Sequence, residues 1–389
     1  MPRTFTNYQV QSLYVGQVNA TGYHFSSGNS GTILIDDLHR VQSVSHDYSR
    51  NRTPINQFGQ LEAIDRPEID PPSVSLGFDY LLHSFSNENA LGLITNGTAS
   101  ALSGILNKTT DEKNYWIKIV DQGADSITDT DVTVFTKGFG NGFLSSYSTQ
   151  ASVGSLPTVS VKVEALNYTI TTGVSGPVPA IVPNSGTRVA GVNYTLPTAN
   201  SSPGTGSLDI SVLRAGDITM VFRERNADDE GIVSVPTGAY TTFGADLDSP
   251  AIPIQGYSLS FDLSRQAINK LGSRFSTSRE PNFPVDISLS VDVLAVELNT
   301  GDLSQEINCD KSYDVLIQLY KPITCSSATR SIQCQYWLKN AKINSESSSS
   351  SIGSNGTLSY SFTSQIGGPN ATSAGLYLSG VANNGDLNI

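Results

Sequence analysis

The chain has 389 residues, enough for two or three domains that each bury a core. Hydrophobic residues make up 38% and charged residues only 15%, and Ser, Thr, Asn and Gly fill the difference. Such a chain is poor in helix formers and rich in strand and turn formers, so an all-β fold is expected. The net charge of -12, from 23 Lys plus Arg against 35 Asp plus Glu, argues against a protein that grips nucleic acid by its phosphates. It suits plain solubility, or an acidic wall past which a polyanion slides.

The N-terminal run MPRTFTNYQV has no apolar core, so no signal peptide is expected. No apolar run approaches the ~18 residues of a membrane span. Triplets such as Asn19-Ala20-Thr21 and Asn370-Ala371-Thr372 are then chance products of composition. Three cysteines, Cys309, Cys325 and Cys334, include no CxxC pair and read as free thiols in a reducing cytoplasm.

An internal repeat organises the chain. VQSVSHDYSRNRTPINQFG from Val41 aligns with YSLSFDLSRQAINKLG from Tyr257. Asp47 meets Asp262 and Arg50 meets Arg265; after a two-residue gap Ile55 meets Ile268 and Gly59 meets Gly272. IDRPEIDPPSVSLGFDYLL from Ile64 then faces SREPNFPVDISLSVDVLAV from Ser278, with Val74, Leu76 and Phe78 opposite Ile287, Leu289 and Val291. NYWIKIVDQ from Asn114 has its counterpart in SYDVLIQLYKP from Ser312. The run from Phe143 matches that from Lys342. Four matches in one order predict a tandem duplication: a first domain over 1–170 and a second over 208–389.

Between them, 171–207 is dense in Gly, Pro, Ser and Asn, a linker or extended arm. It keeps Ile181, Val182, Val189, Val192 and Leu196, which a purely flexible linker lacks. An ordered arm lying on a neighbouring subunit, and ordering only as subunits stack, is the preferred reading over a solvated linker.

Period-2 alternation at Val159, Val161 and Val163, and at Leu208, Ile210 and Val212, predicts half-buried antiparallel strands. Ile268 and Leu271 fall three apart, which predicts a short helix over 265–271. Its counterpart from Arg50 would open late, at Pro54. A weak helix is expected within Asn89–Leu106, whose glycines disfavour it.

Candidate chemistry is thin. There is no dinucleotide fingerprint, P-loop, HExxH or G-x-S-x-G. Gly138-Phe139-Gly140-Asn141-Gly142 reads as a turn between strands. His24, His39, His46 and His83 lack neighbours at metal-ligand spacing, although His39 and His46 are placed to approach across a strand pair. Asp36-Asp37 and Asp228-Asp229-Glu230 read as solvated loop charge, with paired glycosidase acids as the alternative. Asp129 and Asp131 are far looser than an EF-hand loop. Asp47 to Arg50, and Asp262 to Arg265, suit a helix cap with a local ion pair, or an ion pair between subunits. Trp116 and Trp337 lie in apolar strands and read as core. No catalytic, cofactor-binding or metal-binding residue is assigned, and no enzyme activity is expected.

The strand layout, the Pro-bearing loop before a long alternating strand, and the duplication resemble the tail-tube family of phage tails and contractile injection systems. The resemblance covers most of the chain apart from 171–207 and the first thirty or so residues. It implies two tandem β-sandwich or barrel domains, each with a short helix. It further implies homotrimeric, pseudo-hexameric rings that stack into a tube, a conduit through which DNA is ejected without specific binding. Other tail proteins (tape measure, terminator, baseplate) are the implied partners. The implied place is the virion, assembled in host cytoplasm and without membrane. The segment 220–250 departs from the repeat. Alternatives are a capsid-decoration, baseplate or terminator protein, or a carbohydrate-binding adhesin suggested by 16 Tyr and 2 Trp.

Overall fold

The computed structural model describes residues 10–17, 35–108, 111–121, 123–126, 133–182, 185–189, 192–197, 212–225, 254–294, 311–322, 331–352, 355–366, 368, 370 and 374–380. Within them the chain is mainly β, with antiparallel ladders throughout and two short helices. The first half holds β1 (Gln11–Gln17), β2 (Ile35–Asp37), β3 (Val41–Ser49), β4 (Ser73–Leu81), β5 (Glu112–Val120), β6 (Thr133–Ser152), β7 (Thr158–Ala165) and β8 (Asn167–Thr172). Two minor strands follow, β9 (Ser175–Pro177) and β10 (Asn193–Thr195). The second half holds β11 (Ile218–Glu224), β12 (Ile254–Asp262), β13 (Arg265–Ile268), β14 (Ser278–Pro281), β15 (Val285–Leu294), β16 (Tyr313–Tyr320), β17 (Ile332–Ser349), β18 (Thr357–Ile366) and β19 (Gly375–Gly380).

The ladders of the first half recur in the second. β5 pairs with β1 and β6, β7 with β6 and β4, and β4 with β3, while β8 joins β6. Likewise β16 pairs with β11 and β17, β18 with β17 and β15, and β15 with β12, while β19 joins β17. Irregularities recur too. The β6·β7 ladder slips between Leu144 and Ser146, and β17·β18 slips between Ile343 and Ser345. Asn141 in β6 and Asn340 in β17 both have φ 53, a left-handed conformation that Asn tolerates better than most residues. The N–H of Asn141 donates to Asn114 Oδ1 at 2.8 Å, and that of Asn340 to Asp314 Oδ1 at 2.9 Å.

Followed through the ladders, Leu76 falls on Leu289 and Gly59 on Gly272, as the repeat predicts; both glycines lie at positive φ, 81 and 83. The strand before them falls two residues away from its sequence alignment. His46 opposes Leu76 and Leu259 opposes Leu289, so Asp47 lies with Ser260 and not with Asp262. No gap is then needed, and the even shift keeps every side chain on its face. The slips between Val41 and Ser43 and between Ile254 and Gly256 coincide as well.

The helix expected over 265–271 is instead β13, hairpinned to β14 with Arg265 opposite Pro281. Its counterpart from Arg50 is a hairpin too, marked by bridges Arg52–Glu68 and Ile55–Asp65. Spacing of three between Ile268 and Leu271 signalled a helix because one residue belongs to a strand and the other to its turn; both are exposed. The short helices are α1 (Ser86–Ala90) and α2 (Ser103–Leu106) in the first half, kept short by the glycines between them. The corresponding stretch of the second half, 295–310, lies outside the described residues, as do Cys309 and Cys325. Cys334 is a buried free thiol.

Alternation sets the core. Val159, Val161 and Val163 of β7, and Val285, Ile287, Leu289, Val291 and Val293 of β15, are all buried. With Leu259, Ile317 and Tyr336 they belong to one apolar cluster drawn from both halves. The described strands leave open edges, so the sheet does not close into a barrel among them.

The Gly/Pro-rich arm is seated on its own chain, not held out for a neighbour. Val178, Ala180, Val189, Tyr194 and Leu196 are buried with Tyr14 and Trp116 on the outer face of β1 and β5. Ile181 N–H donates to Asn141 Oδ1 at 2.6 Å, and Asn167 Nδ2 donates to Pro179 O at 2.7 Å. Gly138 to Gly142 therefore form no turn. They lie inside β6, where a side chain on Gly138 or Gly140 would fill the trough that the arm occupies and one on Gly142 would strike Tyr115 and Val163. A Cβ on Gly140 would stand 2.3 Å from Pro179 O.

Gly140→Ala should therefore lower stability by about 1–3 kcal/mol and speed proteolytic cleavage within residues 175–197. Gly216→Ala, where a Cβ meets nothing within 4 Å, should change neither. Urea midpoints and limited proteolysis of the two variants check this.

Candidate functional site: a strand joint between the halves

The second half of β6 bears two neighbours. On one edge runs β7; on the other runs β12, from Gly256 opposite Ser152 to Asp262 opposite Ser146. This ladder makes the two halves one sheet. Tyr147 stacks on its cross-strand partner Phe261 at 5.3 Å between centroids, the kind of pair that stabilises a sheet beyond area alone.

Charged residues clamp the same joint. Arg265, reaching back from β13, binds Asp111 in bidentate fashion at 2.5 and 3.0 Å and donates to Leu144 O at 3.0 Å. Both side chains are buried, at 1% and 6% exposure, so the pair is shielded from water and neither charge tolerates loss of the other. Burial pushes the Asp111 carboxyl up, and Arg265 pulls it back. Arg279 contacts Glu164, and Lys108 Nζ lies 2.7 Å from Glu280. Glu68 takes Arg50, Arg52 and Arg274, the last from the other hairpin at 2.9 Å. Neither Arg50 nor Arg265 thus pairs with the Asp expected from the repeat, and neither caps a helix.

Beneath the joint lies a buried polar group. Glu88, within α1, accepts from Tyr80 Oη at 2.8 Å and Tyr147 Oη at 3.1 Å, and Tyr147 Oη meets Tyr336 Oη at 3.1 Å. The second oxygen of Glu88 finds no hydrogen-bond partner among the described residues. Burial raises the Glu88 pKa from 4.5 to about 7, against the pull of its tyrosine donors. Two tyrosines of the first half thus bond one acid, and a third from the second half bonds one of them, an arrangement that periodicity in the sequence does not reveal.

The other candidates are dispersed. His39 lies edge-on to His83 at 5.7 Å, not beside His46; burial lowers both pKa values, His83 to about 3. His46 packs on Phe139 and Tyr168. Trp116 and Trp337 are buried, with the Lys339 ammonium 4.7 Å from the Trp337 ring centre. Asp36 and Asp37 sit in β2, where Asp37 lies 3.4 Å from His39. His24, Asp129, Asp131 and Asp228-Asp229-Glu230 lie outside the described residues. No three His, Cys, Asp or Glu side chains gather at metal-ligand spacing among the described residues. No helix among them is long and apolar enough to cross a membrane.

No protein-family profile and no curated protein matches the chain. Among solved structures it is similar to the SPP1 tail tube, determined by solid-state NMR and cryo-EM, at a TM-score of 0.29 and 9% identity over 43% of this chain and 80% of that one. It is also similar to a chain of the anti-feeding prophage baseplate, a six-fold symmetrised cryo-EM structure, at a TM-score of 0.25 and 14% identity over 42% of this chain and 93% of that one. TM-scores this low carry no argument about what this chain does.

Glu88 generates a pH dependence of defined sign. Its folded pKa is raised, so between 4.5 and about 7 the native state holds a proton that the unfolded state has released, and stability falls as pH rises through that window. The loss amounts to about 3 kcal/mol. Glu88→Gln keeps the tyrosine donors supplied without a charge. The difference in urea stability between wild type and this variant should shift toward the variant from pH 4.5 to pH 7; a difference flat with pH would contradict the assignment.

Proposed function

We propose that the chain is a structural subunit made of two diverged copies of one domain, that it assembles head to tail into rings, and that the rings stack as the tail tube of a bacteriophage. One observation carries the reading: the β6·β12 joint is already a head-to-tail contact between equivalent halves, with Ser146–Ser152 of one laid on Gly256–Asp262 of the other. A contact between unlike edges of like units repeats until it closes a ring or runs on as a filament. Two units per chain give a pseudo-sixfold ring from three chains. The titratable groups at the joint support a structural role: Asp111, Glu164 and Glu280 each hold a cation, and Glu112 holds Asn141.

Stacking falls to the paired hairpins. Phe58 and Leu61 at the tip of one, and Leu271 at the tip of the other, are fully exposed, and Ile55, Ile64, Ile268 and Phe283 are half exposed and Ile69 more so. Apolar side chains clustered on two adjoining hairpins mark an interaction surface. The adjoining is direct, since Arg274 of the second hairpin reaches Glu68 of the first.

Negative-stain micrographs of the concentrated protein should show hollow cylinders, and end-on views should show six-part rings. Compact trimers that never stack would favour a decoration protein, and monomers at every concentration would overturn the reading. Replacing Phe58, Leu61 and Leu271 together by Ser should leave the circular dichroism unchanged and convert cylinders into single rings.

A further inference from the structure

Among the described residues, the chain leaves unpaired the two edges that correspond to those its internal joint employs. β12 has β15 on one edge and β6 on the other, and Tyr257, Leu259 and Phe261 are buried there. β3, which stands at the same place in the first half, is laddered to β4 alone among the described residues, and none of its residues is buried. The end of β6 carries β7 and β12. The end of β17, from Lys342 to Ser349, carries β18 alone among the described residues, and none of its residues is buried. Neither edge is blunted. From Gln42 to Ser49 and from Ser345 to Ser351 there is no Lys and no Pro, the residues that usually protect a free strand from pairing.

We propose that β3 of a second copy of this chain adds antiparallel to the end of β17, in the register that β12 keeps on β6. The ladders fix the register. Leu76 and Leu289 place β3 on β12, and the slips at Leu144 and Ile343 place β6 on β17. Asp262 opposite Ser146 then becomes Ser49 opposite Ser345. Ser260 opposite Ser148 becomes Asp47 opposite Ser347, Leu259 opposite Thr149 becomes His46 opposite Ser348, and Gly256 opposite Ser152 becomes Ser43 opposite Ser351. Backbone groups on these edges that no described strand pairs would gain partners.

The joint between copies is the weaker of the two. Arg52 lies where Arg265 does, each donating to a carbonyl across its hairpin, Arg66 O and Arg279 O. Asp111, however, is matched by Lys311, because Asn114 is matched by Asp314. A cation faces a cation, and the buried ion pair of the internal joint is not repeated. The folded chain therefore forms first and joins its copies reversibly. Only the closure of these joints into a ring rests on the tube reading; their register does not.

Paired cysteines test it. Cα atoms opposite each other on antiparallel strands lie within disulfide reach, whereas a slip of four residues separates them by about 13 Å. The variants Asp47→Cys/Ser347→Cys and His46→Cys/Ser348→Cys, mildly oxidised after concentration, should each give covalent oligomers up to a closed trimer on non-reducing gels. Asp47→Cys/Ser351→Cys should give at least about tenfold less, and the single variants none. Equal yields in and out of register would overturn the pairing. Cylinders without cross-links would sink the joint and leave the tube reading standing, and cross-links without cylinders would do the reverse. Absence of both would remove both.

Discussion

The ladder between the end of β6 and β12 is the contact on which the rest of the molecule depends. Without it the two sheets are separate and the polar group around Glu88 loses its cover, since Tyr336 comes from the second half and Tyr80 and Tyr147 from the first. Arg265 would lose the buried carboxylate that its guanidinium requires. Backbone pairing, aromatic stacking and an ion pair thus coincide along one seam.

The length of β6 makes this possible. A strand of 20 residues serves two sets of neighbours only if it turns partway, and Asn141 supplies the bend with its left-handed backbone. Before the bend β6 runs between β5 and β8, and after it between β7 and β12. Strand β17 repeats the bend at Asn340. Gly138 and Gly140, just before Asn141, leave a trough into which the arm lays Pro179, and Ile181 O accepts from Asn141 Nδ2. Intramolecular docking wins here because the arm is tethered a few residues from its seat, and its effective concentration there is high.

Strands were legible in the sequence wherever one face is buried, as in β7 and β15, because alternation is the direct imprint of burial. The repeat match of Leu76 with Leu289 coincides with the ladders for the same reason, and that of Gly59 with Gly272 because each turn needs a positive φ. The shared Asp-x-Ser-Arg was a poorer guide. It drew the alignment two residues out of step on β3, an exposed strand whose side chains are under little packing constraint. The glycine cluster at Gly138 to Gly142 read as a turn because the approaching backbone is some forty residues away in the chain. Contacts of long separation, Arg265 with Asp111 above all, leave no local pattern, and neither does the chain of hydroxyls from Tyr336 through Tyr147 to Glu88.

The central claim is that assembly repeats on the outside the joint that the chain already makes within. Backbone hydrogen–deuterium exchange, compared between dilute and assembled protein, reads this directly. Amides of Ser146–Ser152 and Gly256–Asp262 should be protected in both states, while within Ser43–Ser49 and Ser345–Ser351 the amides that point away from β4 and β18 should exchange freely in the dilute protein and become protected on assembly. If the assembled protein leaves those two edges as fast as before, the chain is joined to its copies by some other surface, and the head-to-tail architecture is wrong.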